Sequence, residues 1–161
     1  MHLYLLTIIL FFALDQCGKY FAGLYLSDMA TCPLIEGVFH LTYSENTGIS
    51  FGMFRGHTLL FGIISAVLAA ALLVFLFMQF KKYPSKKLYL LSLSLIISGA
   101  LGNMTDRLFR GFVIDFFDFR LINFAIFNIA DSAISVGAVI FCAYILFDKE
   151  IFGDKKDVTQ Q

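Results

Sequence analysis

The chain has 161 residues, enough for one compact unit, and its 12 basic and 12 acidic residues leave no formal net charge. Only 15% of the residues are charged and 59% are hydrophobic, with a mean hydropathy of +0.81. Because a soluble domain carries about 25% charged residues, this composition excludes an ordinary water-soluble protein. The lack of a basic tail or stripe argues against nucleic acid as a partner.

Four apolar stretches are long enough to cross a bilayer, which takes about 20 residues. They cover residues 3–26, 57–80, 88–108 and 126–147. The first stretch lacks the basic start and the small-residue cleavage site of a signal peptide, so we expect it to remain in the protein. The sequence predicts an all-α membrane protein, a four-transmembrane-helix bundle that forms a single domain over residues 1–161.

Two charges lie inside the first span. Asp15 and Lys19 are about 18 Å and 24 Å along a helix that starts at Leu3, at ~1.5 Å per residue. A charge at the centre of a span costs about 2.5–3.5 kcal/mol, so such residues usually have a function. Their i,i+4 spacing also allows them to neutralise each other, and both interpretations stay open here.

The connection after the first span has the alternation of β-strands. A turn-prone stretch, Ser44–Gly48, is flanked by alternating apolar residues: Phe39, Leu41 and Tyr43 before it, and Ile49, Phe51 and Met53 after it. This pattern predicts a small extracytoplasmic β-hairpin between helices 1 and 2, lying against the membrane surface.

The lysines predict how the chain is oriented. The link 81–87 and the tail beyond Phe147 are lysine-rich, so the positive-inside rule places both in the cytoplasm, together with the N-terminus. The two longer connections then lie outside. The second of them contains three arginines, which count against this orientation: Arg107, Arg110 and Arg120. The lysines of the link and the tail outnumber them, so we keep this orientation.

Further polar groups lie at a similar depth in the other spans. Asn103 is about 22 Å from Leu88, and Asp131 is about 7 Å below the outer start of the last span at Ile126. With the charges of the first span, they fall in the outer half of a core about 30 Å thick. We therefore expect one polar site towards the extracytoplasmic face.

Two aspartates have no obvious partner in the sequence. Asp131 has no cation three or four residues away, and Asp115 is flanked by apolar residues, whereas Asp118 and Glu45 are expected in solvent. Two desolvated carboxylates brought together share one proton, so one acts as a base and the other as an acid. This is the chemistry of an aspartic peptidase.

Other polar residues have structural alternatives. Some of the i,i+4 pairs Asn103–Arg107 and Asp106–Arg110 are expected to be structural ties, and a turn alone is an alternative explanation of Asn46 and Gly48. The cysteines and histidines contain no CxxC pair and no HExxH motif, so the sequence predicts neither a disulfide framework nor a metal.

Five blocks of this sequence, in order along nearly the whole chain, resemble the signal peptidase II family, whose members are lipoprotein signal peptidases. The blocks are Asp15–Lys19, Asn46–Gly52, Gly99–Arg107, Gly111–Phe116 and Phe127–Ser132. The sequence departs from the family pattern at Gly18, where serine or threonine is usual, and at Ile49-Ser50, where two small residues are usual.

The resemblance implies that Asp115 and Asp131 are the catalytic pair. It implies substrate-binding or supporting roles for seven more residues: Asp15, Lys19, Asn46, Gly48, Asn103, Arg107 and Asn128. It further implies an aspartic endopeptidase that cuts diacylglyceryl-modified prolipoproteins just before the lipidated cysteine. The enzyme would act without a cofactor, as a monomer among lipids, in the outer half of the bacterial cytoplasmic (inner) membrane. Apart from the resemblance, the apolar alternation that continues through a polar turn leads us to expect that residues 37–54 gate substrate entry.

Three other classes of protein fit the sequence less well. A small transporter has short loops and internal repeats with a site near the midplane, which this chain lacks. A structural subunit does not require unpaired acids in apolar surroundings. A serine peptidase needs a motif such as GxSxG, which is absent from the sequence.

Overall fold

The structure, a computed structural model, describes residues 1–48 and 56–148. These residues form four long helices: α1, His2–Leu26; α2, Thr58–Lys82; α3, Lys87–Phe109; and α4, Ile129–Phe147. Each helix is long and apolar enough to cross a membrane. The predicted four-helix membrane fold is confirmed, and the helices begin and end within three residues of the predicted apolar stretches.

Helix α3 lies at the centre of the bundle and packs against the other three helices. At one end of the bundle, the start of α1, the end of α2 and the start of α3 share an apolar core. Its buried members are Tyr4, Ile8, Leu76, Tyr89, Leu90, Leu93 and Ile97. The polar groups of α1 and α3 lie beyond this core, towards the other end.

Small residues let α3 and α4 approach closely, as is common in membrane bundles. A Cβ atom added at Gly137 would lie 2.7 Å from the backbone oxygen of Ser92, and one at Gly99 would collide with the backbone oxygen of Ala130. The two helices therefore meet with almost no space between their backbones, which fixes the start of α4 against α3.

A three-stranded antiparallel sheet covers the other end of the bundle. Its strands are β1, Cys32–Ile35; β2, Phe39–Asn46; and β3, Val113–Phe119, in the order β1-β2-β3. Strand β3 belongs to the connection between α3 and α4, so the sheet joins the two long connections. Ser44 pairs with Asp115 in this register, which places β2 beside the aspartate.

The predicted sheet between helices 1 and 2 is present, but the predicted turn is wrong in part. Strand β2 continues through Ser44–Asn46, and the hairpin turn lies instead at residues 36–38, where Gly37 has a φ of +68°. The alternation pattern could not reveal this, because Ser44–Asn46 are held as a strand by β3. The second predicted strand, Ile49–Met53, lies outside the described residues.

Asp118 is not in solvent as expected. Its carboxylate is buried and accepts hydrogen bonds from Thr42 Oγ1 at 2.7 Å and from Arg120 Nε at 2.9 Å. Burial alone would raise the pKa of Asp118, but these hydrogen bonds and the Arg120 charge hold it below its ordinary value. Glu45, in contrast, is exposed as expected.

Candidate active site

Asp115 lies in the middle of β3, and only 3% of its surface is exposed. Its two carboxylate oxygens each accept a hydrogen bond from a side-chain amide. Asn128 Nδ2 donates to Oδ1 at 2.6 Å, and Asn46 Nδ2 donates to Oδ2 at 3.1 Å. The carboxylate is therefore held in one orientation by residues from the start of α4 and the end of β2.

Asp131 lies in the first turn of α4, where Asn128 is the N-cap residue. The two form a reciprocal capping box: Asp131 N–H donates to Asn128 Oδ1 at 2.9 Å, and Asn128 N–H donates to Asp131 Oδ2 at 3.2 Å. The other carboxylate oxygen, Oδ1, accepts from Asn103 Nδ2 at 2.7 Å. Local helix capping thus fixes the position of this aspartate.

The two carboxylates are linked through two asparagine side chains. Asn128 Nδ2, which donates to Asp115, also lies 3.2 Å from Asn103 Oδ1, and Asn103 Nδ2 donates to Asp131. Asn128 is fully buried and Asn103 nearly so. The two amides thus link the carboxylates in one polar pocket.

Burial, and to a smaller extent the nearby negative charge of Asp131, together raise the pKa of Asp115 to about 7. The hydrogen bonds from Asn46 and Asn128 act against this rise but do not cancel it. Near neutral pH, Asp115 therefore readily holds a proton beside a second carboxylate, which is the arrangement that acid–base catalysis by two aspartates requires.

Arg107 and Gly48 form one edge of the pocket. Arg107 Nη2 donates to the Gly48 backbone oxygen at 3.3 Å, and Gly48 N–H donates to Asn46 Oδ1 at 3.0 Å. The guanidinium charge interacts with Asp115 and Asp131. Its Nε is buried and, within residues 1–48 and 56–148, has no hydrogen-bond partner.

The charges of α1 are both paired and connected to the site. Lys19 Nζ lies 2.8 Å from Asp15 Oδ2, so the structural ion pair that the sequence allowed is present. The same ammonium donates to Asn103 Oδ1 at 3.0 Å and also contacts Asp106 Oδ2 at 2.8 Å. The ion pair that the Asp15–Lys19 spacing allowed is present, and a functional role for these two residues stays a prediction.

All nine predicted site residues lie in this one region. Six are joined by side-chain hydrogen bonds, namely Asp115, Asp131, Asn46, Asn103, Asn128 and Lys19. Gly48 and Arg107 form the edge, and Asp15 pairs with Lys19. Sequence reasoning missed Asp106, Gln16 and Arg110 as neighbours of the site. The Asp106–Arg110 spacing was visible, but its proximity to α1 depends on the helix packing.

Within the described parts of the chain, no group of three or more His, Cys, Asp or Glu side chains is arranged to hold a metal ion. The pocket's own groups are carboxylates, amides and a guanidinium, which can bind, orient and exchange protons.

The chain matches the family model described as signal peptidase (SPase) II over residues 7–147. It is 46% identical over 145 residues to a lipoprotein signal peptidase of Clostridioides difficile, with 90% of this chain and 95% of the relative covered. It is 42% identical to one from Caldanaerobacter subterraneus, with 83% and 89% covered.

Two solved structures, both described as bacterial membrane enzymes studied by the in meso method, have the same fold. One is superimposed with a TM-score of 0.82 at 27% identity, covering 98% of this chain and 95% of that chain. The other gives a TM-score of 0.79 at 28% identity, covering 92% and 95%. From the match along most of its length and its identity to these relatives, the chain belongs to the signal peptidase II family of membrane peptidases.

Proposed function

We propose that this protein is an aspartic endopeptidase that removes the signal peptide from prolipoproteins, with Asp115 and Asp131 as its catalytic pair. The observation that carries the proposal is the linkage of two carboxylates from different elements through the amides of Asn103 and Asn128. Membership of the signal peptidase II family supplies the reaction class.

The mechanism follows from the protonation of the pair. Asp115, with its raised pKa, is the acid, and Asp131 is the base. Asp131 takes a proton from a water molecule as that water attacks the scissile carbonyl carbon. Asp115 donates its proton to the carbonyl oxygen, which gives a neutral tetrahedral intermediate. Collapse of this intermediate breaks the C–N bond: one of its hydroxyl groups returns a proton to Asp115, and Asp131 gives its proton to the leaving nitrogen.

The supporting residues orient the reacting groups. Asn46 and Asn128 hold Asp115, and Asn103 holds Asp131. The Arg107 charge interacts with both aspartates and its Nη2 donates to Gly48, and we propose that this guanidinium also orients the substrate. Asp131 is partly exposed, whereas only 3% of Asp115 is exposed, so we expect the attacking water to reach the pair from the side of Asp131.

The substrate we propose is a prolipoprotein whose cysteine carries a diacylglyceryl group, cut just before that cysteine. The names of the relatives support prolipoproteins as the class, and the apolar outer surface of the four helices supports a substrate that reaches the site through lipid. We place the enzyme in the bacterial inner membrane as a monomer, with both termini in the cytoplasm and the site in the outer half.

The test uses purified protein in detergent with two substrates, a diacylglyceryl-modified prolipoprotein and its unmodified precursor. We expect Asp115→Asn and Asp131→Asn each to reduce cleavage of the modified substrate by at least about a thousandfold, since acid–base catalysis contributes about 10²–10⁴-fold per group. The unmodified precursor should be cut poorly by every variant.

Asp118→Asn is the matched control. It removes a carboxylate from the same strand, three residues further on, that bonds to Thr42 and Arg120 and to neither of the site amides. This variant should cleave at nearly the wild-type rate. Substantial cleavage by folded Asp115→Asn or Asp131→Asn would disprove the aspartic mechanism, and equal cleavage of both substrates would disprove the lipid requirement.

A further inference from the structure

Each proposed catalytic aspartate directly follows a residue whose backbone N–H is bonded to another, buried carboxylate. Ile114 N–H, before Asp115, donates to Asp106 Oδ2 at 3.3 Å. Ala130 N–H, before Asp131, donates to Asp15 Oδ1 at 2.9 Å. These two accepting carboxylates lie on α3 and α1 and take no part in the mechanism proposed above.

A single ammonium group joins the two accepting carboxylates. Lys19 Nζ lies 2.8 Å from Asp15 Oδ2 and 2.8 Å from Asp106 Oδ2, and all three side chains have 0% exposure. Arg110 pairs with the other oxygen of Asp106, so two carboxylates and two cations balance. The backbone before Asp115 is thus connected to the backbone before Asp131 through a short chain of charged contacts.

We propose that Asp15, Lys19 and Asp106 form a positioning clamp that sets the separation of the two catalytic carboxylates. The clamp acts on the backbone of β3 and of α4 rather than on substrate, and the inference rests on the proposed function of Asp115 and Asp131. Loosening the clamp leaves both aspartates present but increases or varies the distance between them.

The surrounding residues are fitted to the clamp. A Cβ atom added at Gly102 would lie 2.5 Å from Asp15 Oδ2, so the helix α3 leaves room for the carboxylate only because this residue is glycine. Gln16 Nε2 lies 3.2 Å from Asp15 Oδ2 and 3.4 Å from Asp106 Oδ1, which supports both carboxylates from the open side. Buried charges are costly, and their retention here in a complete network is consistent with a role in geometry.

The separation of the carboxylates controls how strongly they share a proton. When two carboxylates lie close together, their two apparent pKa values are far apart, and the pH profile of kcat/KM is a broad bell. When they move apart, the coupling weakens and the bell narrows. A misplacement of about 1 Å also costs about a hundredfold in rate.

The main test is the double variant Lys19→Met/Asp106→Asn. It removes one positive and one negative charge, so the remaining Asp15 and Arg110 charges still balance. We expect folded protein in normal amounts, a fall in kcat of about ten- to a hundredfold, little change in KM, and a narrower bell. A merely structural role would lower the yield of folded enzyme and leave the width of the bell unchanged.

The matched control is Asp118→Asn/Arg120→Met. It removes an ion pair whose atoms, Arg120 Nε and Asp118 Oδ2, are 2.9 Å apart, at the same end of the protein and separate from the clamp. This variant should retain the wild-type kcat and the wild-type width of the pH profile of kcat/KM. Gly102→Ala is a second test, because it leaves every charge in place and presses a methyl group against Asp15. It should also lower kcat and narrow the bell.

The proposal is overturned if folded Lys19→Met/Asp106→Asn, or Gly102→Ala where the double variant does not fold, has the wild-type kcat and bell width. It is also overturned if the control pair produces the same changes. Failure of the clamp leaves Asp115→Asn and Asp131→Asn inactive, whereas failure of the proposed function makes one of those variants active, so the two failures are distinguishable.

Discussion

The side chain of Asn128 both caps a helix and contacts a proposed catalytic residue. Its Oδ1 caps α4 by accepting from Asp131 N–H, while its Nδ2 donates to Asp115 Oδ1. The amide cannot be reversed without losing both bonds, because each atom has a partner of the opposite kind. The start of α4 and the strand β3 are therefore held in register by a residue that the sequence identified only through a family resemblance.

Gly18, where the family usually has serine or threonine, has a physical explanation in its neighbours. A Cβ atom there would lie 3.0 Å from Ile129 Cδ1 and 3.1 Å from Phe116 Cζ, so both neighbours would have to move slightly for serine or threonine to fit. These neighbours flank the site, one beside Asp115 and one near the start of α4. The other departure, Ile49-Ser50, lies outside the described residues.

The raised pKa of Asp115 predicts the pH dependence of cleavage. Since Asp115 must be protonated to act as the acid, activity should be lost as the pH rises through its pKa of about 7. Because two coupled carboxylates titrate as a pair with two apparent pKa values, activity should also fall at low pH. We expect a bell-shaped profile of kcat/KM with an alkaline limb near pH 7, measured with the lipidated substrate.

Asn46→Ala checks the origin of the alkaline limb. The Asn46 hydrogen bond to Asp115 stabilises the charged carboxylate and so lowers its pKa. Without this donor, the alkaline limb should move to higher pH, whereas Glu45→Gln on the exposed face of the same strand should leave it in place. Activity that kept rising to pH 9 in the wild type would contradict the assignment of Asp115 as the acid.

At the scale of elements, the four helices could be predicted and the sheet only in part. The length and position of a membrane helix can be predicted from its apolar composition, because nearly every residue of the span contributes to the pattern. Strand β3 could not be recognised, because it pairs with β2 at residues about 70 positions earlier and its residues are buried on both faces. The same burial explains why the residues on both sides of Asp115 are apolar, and this apolar setting is what identified Asp115 in the sequence.

The close contact of α3 and α4 predicts the effect of small substitutions. Gly137→Ala places a methyl group 2.7 Å from the Ser92 backbone oxygen, so the helices must separate. Although alanine is favoured over glycine in a helix by about 1 kcal/mol, we expect this variant to lower the Tm by several degrees. Thermal unfolding in detergent measures the effect.

Gly23→Ala is the matched control in α1. Its added methyl group meets only Tyr43 Cε2 at 3.9 Å, an ordinary contact, so its Tm should be unchanged or higher. Equal Tm values for the two variants would show that the approach of α3 and α4 is less tight than the structure indicates.

At the scale of the whole molecule, the two ends of the bundle differ in kind. One end is covered by the sheet, and at the other an ion pair at 2.7 Å joins Lys86, between α2 and α3, to Asp148 at the end of α4. The positive-inside rule assigns the lysine-rich end to the cytoplasm. The orientation stays a prediction from the lysines. The exact partners in the polar cluster could not be predicted, because they depend on how α1 and α3 pack.

Cysteine labelling in intact cells tests this orientation. In a variant without the native cysteines, Glu36→Cys places a thiol at the exposed turn of the sheet, and Ser85→Cys places one at the exposed link between α2 and α3. A membrane-impermeant maleimide should label Glu36→Cys in intact cells and label Ser85→Cys only after lysis. The reverse pattern would place the site towards the cytoplasm.

The order of synthesis gives the Asp15–Lys19 ion pair a further consequence. Helix α1 leaves the ribosome before α3 exists, and its two charges lie one helical turn apart, so they can neutralise each other as the helix enters the bilayer. Lys19 acquires its second carboxylate partner, Asp106, only when α3 has been synthesised. Asp115 and Asp131 are synthesised after α1 and α3. An unfinished chain that ends before β3 therefore has a first helix whose two charges neutralise each other, and it lacks both proposed catalytic aspartates.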